Sequence, residues 1–168
     1  MKKLRVFRET IDKWLGYLLS ILMALMVLDV VWGVVARYLL NNPSSFTDEL
    51  AGYLLIWVGL LGASLASGKG MHLAIDLLPQ KLEGKKKQRL EIVIEVLIFL
   101  FALSILVIGG IRLVYITLKL GQTSPSLGLP LGYVYLVLPL SGIFIMFYSA
   151  INILEELNDE LQEELEID

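Results

Sequence analysis

Four long apolar stretches constrain this chain more than any other feature. They run from about Trp14 to Tyr38, Leu50 to Ala66, Ile92 to Leu118 and Leu131 to Leu154. Each approaches or exceeds the roughly 20 residues that a helix needs to cross the hydrocarbon core of a bilayer. A lipid-embedded backbone has no water to bond with, so a span of this kind satisfies its own amides by being helical. The composition agrees: 57% of the 168 residues are hydrophobic and 18% charged, where a soluble domain holds about 45–50% apolar residues. The chain reads as an all-α integral membrane protein of four transmembrane helices, over about 14–38, 49–67, 91–119 and 131–154. These form a single membrane domain, 1–168, that closes with an acidic helical tail over 155–168.

The first stretch reads as a retained helix. It is longer than a signal-peptide core of about 7–15 residues, contains Asp29 and lacks an A-x-A site. The chain has no cysteine, which excludes thiol chemistry, disulfides and iron–sulfur clusters within it. Its single histidine, His72, excludes bis-histidine haem and argues against a zinc site of three protein ligands. No enzymatic activity and no cofactor are expected.

The basic residues are unevenly placed. Eleven of the 14 lie either before the first helix (Lys2, Lys3, Arg5, Arg8, Lys13) or between the second and third (Lys69, Lys81, Lys85, Lys86, Lys87, Arg89). The segments Asn41–Asp48 and Gly121–Pro130 contain none. The positive-inside rule therefore predicts a cytoplasmic N-terminus, and an even number of crossings brings the C-terminus to the same side. In the tail, Leu154, Leu157, Leu161 and Leu165 recur at helical spacing among eight acidic residues. That pattern predicts a solvated extension of the last helix, with a docking strip as the sharper alternative. Pro43, Pro125 and Pro130 mark the breaks between helices, and Ser45 with Asp48 fits a capping box opening the second.

Charges within spans are the usual pointers to function. Asp29 lies about 22 Å along the first helix from Trp14 and Arg112 about 31 Å along the third from Glu91, both toward the outer side. Arg37 reaches headgroup level, and Glu95 sits one turn into the third helix. Each helix carries one deep charge at most, with no cluster of small polar residues and no matched pair of broken helices to make a midplane site. A structural network is the economical reading, for example Arg112 with Asp29 or Glu49; a coupling carboxylate at Asp29 is the competing one. Gly59, Gly62, Ala63, Ser64, Gly109 and Gly110 supply small surfaces for close helix packing. Trp57 lies mid-membrane, where an aromatic belt role fails, so it packs either within the chain or against another subunit.

In "SGKGMHLAIDLLP", Ser67 to Pro79, the glycines permit the turn that ends the second helix. A helical continuation would place His72 and Asp76 on one face with Leu73, Ile75, Leu77 and Leu78 as apolar surface. This describes a short segment along the inner membrane interface, beside lysines facing anionic headgroups. His72 is then structural, with a protonation sensor as the alternative.

The ordered combination of Asp48–Glu49, Trp57, Gly62–Ala63, Gly70, His72 and Asp76 within Arg37–Pro79 resembles the small permease subunit of tripartite ATP-independent periplasmic (TRAP) transporters, the DctQ-like family. So does Thr123–Gly142 with Pro130, Tyr135 and Pro139. The resemblance implies an inner-membrane subunit of a three-part secondary transporter. Its partners would be membrane lipids, a large permease subunit as a separate chain and a periplasmic substrate-binding protein, with no nucleic acid. The large subunit would carry the substrate and ion sites, and the small one would enlarge its static scaffold during gradient-driven uptake of a dicarboxylate, sialic acid or sugar acid. Asp29, Arg37, Asp48, Glu49, Trp57, Gly62, Gly70, His72, Asp76, Arg112, Pro130 and Tyr135 are the structural or subunit-contact candidates. A self-sufficient homodimeric carrier using Asp29 is the alternative from a different class.

Overall fold

A computed structural model describes residues 2–40, 44–69 and 85–167, with side chains over 6–40, 44–69 and 87–157. Helix α1 spans Lys2–Tyr38 and α2 spans Ser45–Gly68. The third crossing is α3 (Lys85–Phe101), a π-helical stretch (Ala102–Gly109) and α4 (Gly110–Lys119). The fourth is the short α5 (Leu131–Tyr135) followed by α6 (Val137–Ile167). Among the described residues, four segments are long and apolar enough to cross a membrane: Val6–Tyr38, Ser45–Gly68, Lys87–Lys119 and Leu131–Leu157. Every crossing expected from the apolar blocks is present, and each helix runs past its block into polar residues. A helix whose middle is fixed in lipid continues outward until a breaker stops it, because each added residue gains one backbone hydrogen bond.

The crossings pack in the order first, second, fourth, third: α1 lies on α2, α2 on α6, and α6 on α3 and the π-helical stretch, while α4 covers α5. The fourth crossing is the most enclosed and the first the most exposed. Leu15, Leu61 and Val137, one from each of three crossings, form the buried centre, with Leu19, Leu22, Leu60, Leu65, Trp57 and Phe144 packed around it.

Small residues bring the third and fourth crossings together. A Cβ placed on Gly110 would fall 2.9 Å from Pro139 Cδ, and one on Gly142 would fall 2.8 Å from Leu106 Cβ. Gly132 likewise lies against the Leu118 side chain. Lipid tails are as apolar as leucine, so such close backbone approach is how helices gain contact energy in a bilayer. Of the glycine pair in the third crossing, Gly110 is buried in this contact and Gly109 is exposed.

Pro139 explains the division between α5 and α6. It has no N–H to offer the Tyr135 carbonyl, and its ring crowds that oxygen. The turn tightens, with Leu136 N donating to Tyr133 O at 3.4 Å. The second polar breaker is a compact turn. Ser124 N donates to Leu129 O at 2.9 Å, Gly128 N to Ser124 O at 3.0 Å and Leu131 N to Gln122 O at 2.9 Å, closing the segment below Pro130. Gly121 and Gly128 adopt φ of 60° and 65°, the left-handed region that residues with a Cβ avoid.

Candidate functional site

The polar chemistry collects at the two ends of the bundle. At one end, the carboxylate of Glu49 in the first turns of α2 accepts from Ser124 Oγ at 2.8 Å, from Ser126 N at 3.1 Å and from Leu127 N at 3.3 Å. A single side chain thereby straps the turn between the third and fourth crossings to the start of the second. Beside it, Arg37 in the last turn of α1 donates to Asp48 Oδ2 at 3.2 Å, an exposed pair joining the first and second crossings. A crevice of about 230 Å³ opens under this pair, lined by Val30, Gly33, Val34, Arg37, Tyr38, Thr47, Asp48 and Ala51.

The expected capping box is corrected here. The N-cap is Ser44, whose hydroxyl meets Thr47 Oγ1 at 3.1 Å, while Thr47 Oγ1 donates to the Ser44 carbonyl at 2.8 Å. Asp48 is turned to Arg37 because an exposed guanidinium is a stronger partner than an amide.

At the other end, Arg8 of α1 donates to Glu155 Oε2 of α6 at 3.0 Å and to the carbonyl of Gly68, the last residue of α2. Tyr148 OH donates to Asp12 Oδ1 at 2.5 Å, and the fully buried Tyr148 ring covers Gly68 so closely that a Cβ there would fall 2.6 Å from Cε1. Phe7 meets Phe147 edge-on at 5.6 Å between ring centres. Arg8, Asp12, Tyr148 and Glu155 thus tie three crossings together. Sequence reading placed Arg8 and Glu155 only in the orientation count and the acidic tail. The signal available was weak: two opposite charges at opposite chain ends, brought together by an even number of crossings.

Between the ends, the intramembrane charges stand apart. Asp29 is near enough to Asp48 for their charges to interact, and its Oδ2 is buried without a hydrogen-bond partner among the described residues. Arg112 is exposed on α4 and has no ion pair among them. The suggested pairing of Arg112 with Asp29 or Glu49 is therefore not formed. The first and third crossings flank opposite sides of the row, and Glu49 is occupied by the turn. Glu95 is buried between α3 and α6, with Oε1 accepting from Asn152 Nδ2 at 2.9 Å and Oε2 without a partner among the described residues.

Trp57 is half-buried and makes contacts within the chain. Its Nε1 donates to the Val134 carbonyl at 3.0 Å, at the level where Pro139 perturbs the fourth crossing, and its ring lies against the buried centre. Ser64 adds a second bridge, donating to Ser141 O at 3.2 Å. Gly62 meets no atom within 4 Å of a Cβ built on it. Pro130 caps α5, and Tyr135 is half-buried at the break. Gly70, His72 and Asp76, with the interfacial segment expected there, lie outside the described residues.

Comparison with known proteins decides the family. The profile of the DctQ component of tripartite ATP-independent periplasmic transporters matches residues 26–159. The chain belongs to this family. It is 31% identical to a putative TRAP transporter small permease protein of Haemophilus influenzae, over 84% of this chain and 86% of that one. It is 27% identical to the sialic acid TRAP transporter small permease protein SiaQ of Vibrio cholerae, over 80% and 82%. A segment covering 54% of this chain is also 30% identical to the sialic acid TRAP transporter permease protein SiaT of Haemophilus influenzae, where it makes up 15% of a much longer polypeptide. This member of the DctQ family is a transporter membrane subunit and not an enzyme, and its four apolar helices make it a multi-pass inner-membrane protein.

Proposed function

We propose that the chain is the bracing subunit of a cation-gradient-driven organic-acid transporter, binding a large permease chain that carries substrate and ion. A periplasmic binding protein delivers the substrate, a dicarboxylate, sialic acid or sugar acid. The observation that carries this reading is the dispersal of the ionisable groups. Asp29 on the first crossing stands apart from Glu95 and Arg112, which lie 17 residues or about 25 Å from each other along the third, so the described residues of the four-helix unit offer no continuous polar route for a solute, whereas both of its ends are cross-strapped as a rigid scaffold needs. The relatives support the partner, since the segment similar to this chain occurs inside the longer SiaT permease. The substrates in the relatives' names vary from sialic acid to ectoine and C4-dicarboxylate, which fits a subunit that does not select the substrate.

In this reading the N- and C-termini are cytoplasmic, and His72 with Asp76 holds a segment along the inner interface. His72→Gln, which keeps hydrogen bonding and removes titration, retains most transport, whereas His72→Leu lowers complex yield. Co-purification tests the assignment. The tagged chain, co-expressed with its transporter's large permease, retains that permease through detergent extraction and size exclusion. Recovery of a homodimer alone, with the large permease present in the same membranes, contradicts it and favours the self-sufficient carrier.

A further inference from the structure

The crevice under Arg37 and Asp48 combines features that a helix–helix contact does not require. Its mouth carries one positive and one negative group, and both are largely exposed: the side chains of Arg37 and Asp48 retain 53% and 73% of their accessible surface. Arg37 has five N–H donors, and only one bond from it, to Asp48, is formed among the described residues. Below the mouth the walls are Val30, Gly33, Val34 and Ala51. Val30 lies seven residues below Arg37, or about 10 Å along α1. Gly33 allows Thr47 to approach and leaves no side chain of its own to fill the gap. Arg37 lies in the last turn of the first span and Asp48 in the first turn of the second, so the mouth stands at headgroup level and the walls at acyl-chain level.

We propose that this crevice is a binding site for one phosphatidylethanolamine molecule, with its phosphate on Arg37, its ammonium on Asp48 and the upper part of one acyl chain along Val30, Gly33, Val34 and Ala51. The charge pattern selects the headgroup. A guanidinium beside a carboxylate complements a phosphate beside an ammonium. Phosphatidylglycerol supplies the phosphate but brings no cation to Asp48, and its net negative charge is repelled there. The bound lipid would fill the seam between the first and second crossings, which the Arg37–Asp48 pair bridges at its mouth. The site belongs to this chain whichever large subunit it serves.

Native mass spectrometry of the full-length chain, alone and co-purified with its large permease, tests the site during titration with palmitoyl-oleoyl phosphatidylethanolamine or phosphatidylglycerol. One phosphatidylethanolamine is expected to remain bound to the wild type in both preparations, about tenfold more tightly than phosphatidylglycerol. Arg37→Gln weakens both lipids about tenfold or more, as loss of a charge-assisted contact implies. Asp48→Asn acts differently: it removes the preference and raises phosphatidylglycerol binding, because Arg37 is freed and the repulsion is gone. Ala51→Phe fills the apolar wall and excludes lipid while leaving both charges in place. Glycerophosphoethanolamine, which has the headgroup without chains, does not displace the bound molecule. Equal binding of the two lipids by the wild type would overturn the proposal, as would retention by Ala51→Phe. Loss of the lipid on assembly would overturn it too, assigning the crevice to the large subunit.

Discussion

Glu49 shows how a residue flagged by type acquires its role only from topology. The sequence marks it as an acid at a helix start, where helix-dipole attraction is reason enough to be there. Its carboxylate instead accepts from one hydroxyl and two amides of a turn some 75 residues away, and no local pattern specifies that turn as its partner. Glu49→Gln turns an acceptor oxygen into a donor facing donors. It is expected to loosen the turn, read as faster hydrogen exchange at Ser126 and Leu127; unchanged protection would show the strap to be idle. Trp57 was legible as a mid-membrane aromatic that must pack but not as a donor, because its acceptor, the Val134 carbonyl, lies 77 residues away on the fourth crossing. Trp57→Phe keeps the ring packing and loses the bond to Val134, lowering stability by about 1 kcal/mol in detergent unfolding. The charges Asp29 and Arg112 were visible and their separation was not, since depth along a helix says nothing about which flank of the row it occupies.

Among the elements, apolar length identified all four crossings, and the helix ends drifted outward because composition marks the lipid-embedded part and not the hydrogen-bonded part. The π-helical stretch Ala102–Gly109 left no mark in the apolar pattern, which reads the same through an α- or π-turn. Glycines looked alike in sequence and divide sharply in space. Gly110 and Gly142 are pressed against Pro139 and Leu106, whereas Gly59 meets nothing within 4 Å. Gly142→Ala should therefore destabilise the isolated chain by about 1–3 kcal/mol through overpacking. Gly59→Ala should leave it unchanged or slightly more stable, by up to about 1 kcal/mol. Thermal unfolding of the two variants side by side checks the contrast, and equal losses would contradict this packing. A fall in large-permease yield for Gly59→Ala alone would place the subunit contact on that face of α2.

For the whole molecule, the two straps divide the labour: Arg8, Asp12, Tyr148 and Glu155 join the first, second and fourth crossings at one end, while at the other Arg37 and Asp48 join the first and second and Glu49 ties the second to the turn between the third and fourth. The lysine and arginine asymmetry predicts which end is which. Cysteines placed at Ser44 and Ser126 should react with impermeant reagents in intact cells and one at Lys86 should not; the opposite pattern would invert the orientation. In the proposed reading, a unit strapped at both ends, with no converging charges between them among the described residues, holds another protein and does not itself pass a solute. The direct test is the initial rate of organic-acid uptake into liposomes containing this chain, its large permease or both, with binding protein and an inward sodium or proton gradient. Uptake only when both chains are present, and unchanged ion coupling per assembled complex in Asp29→Asn, is the predicted result. Gradient-driven uptake by this chain alone, abolished by Asp29→Asn, would contradict the account.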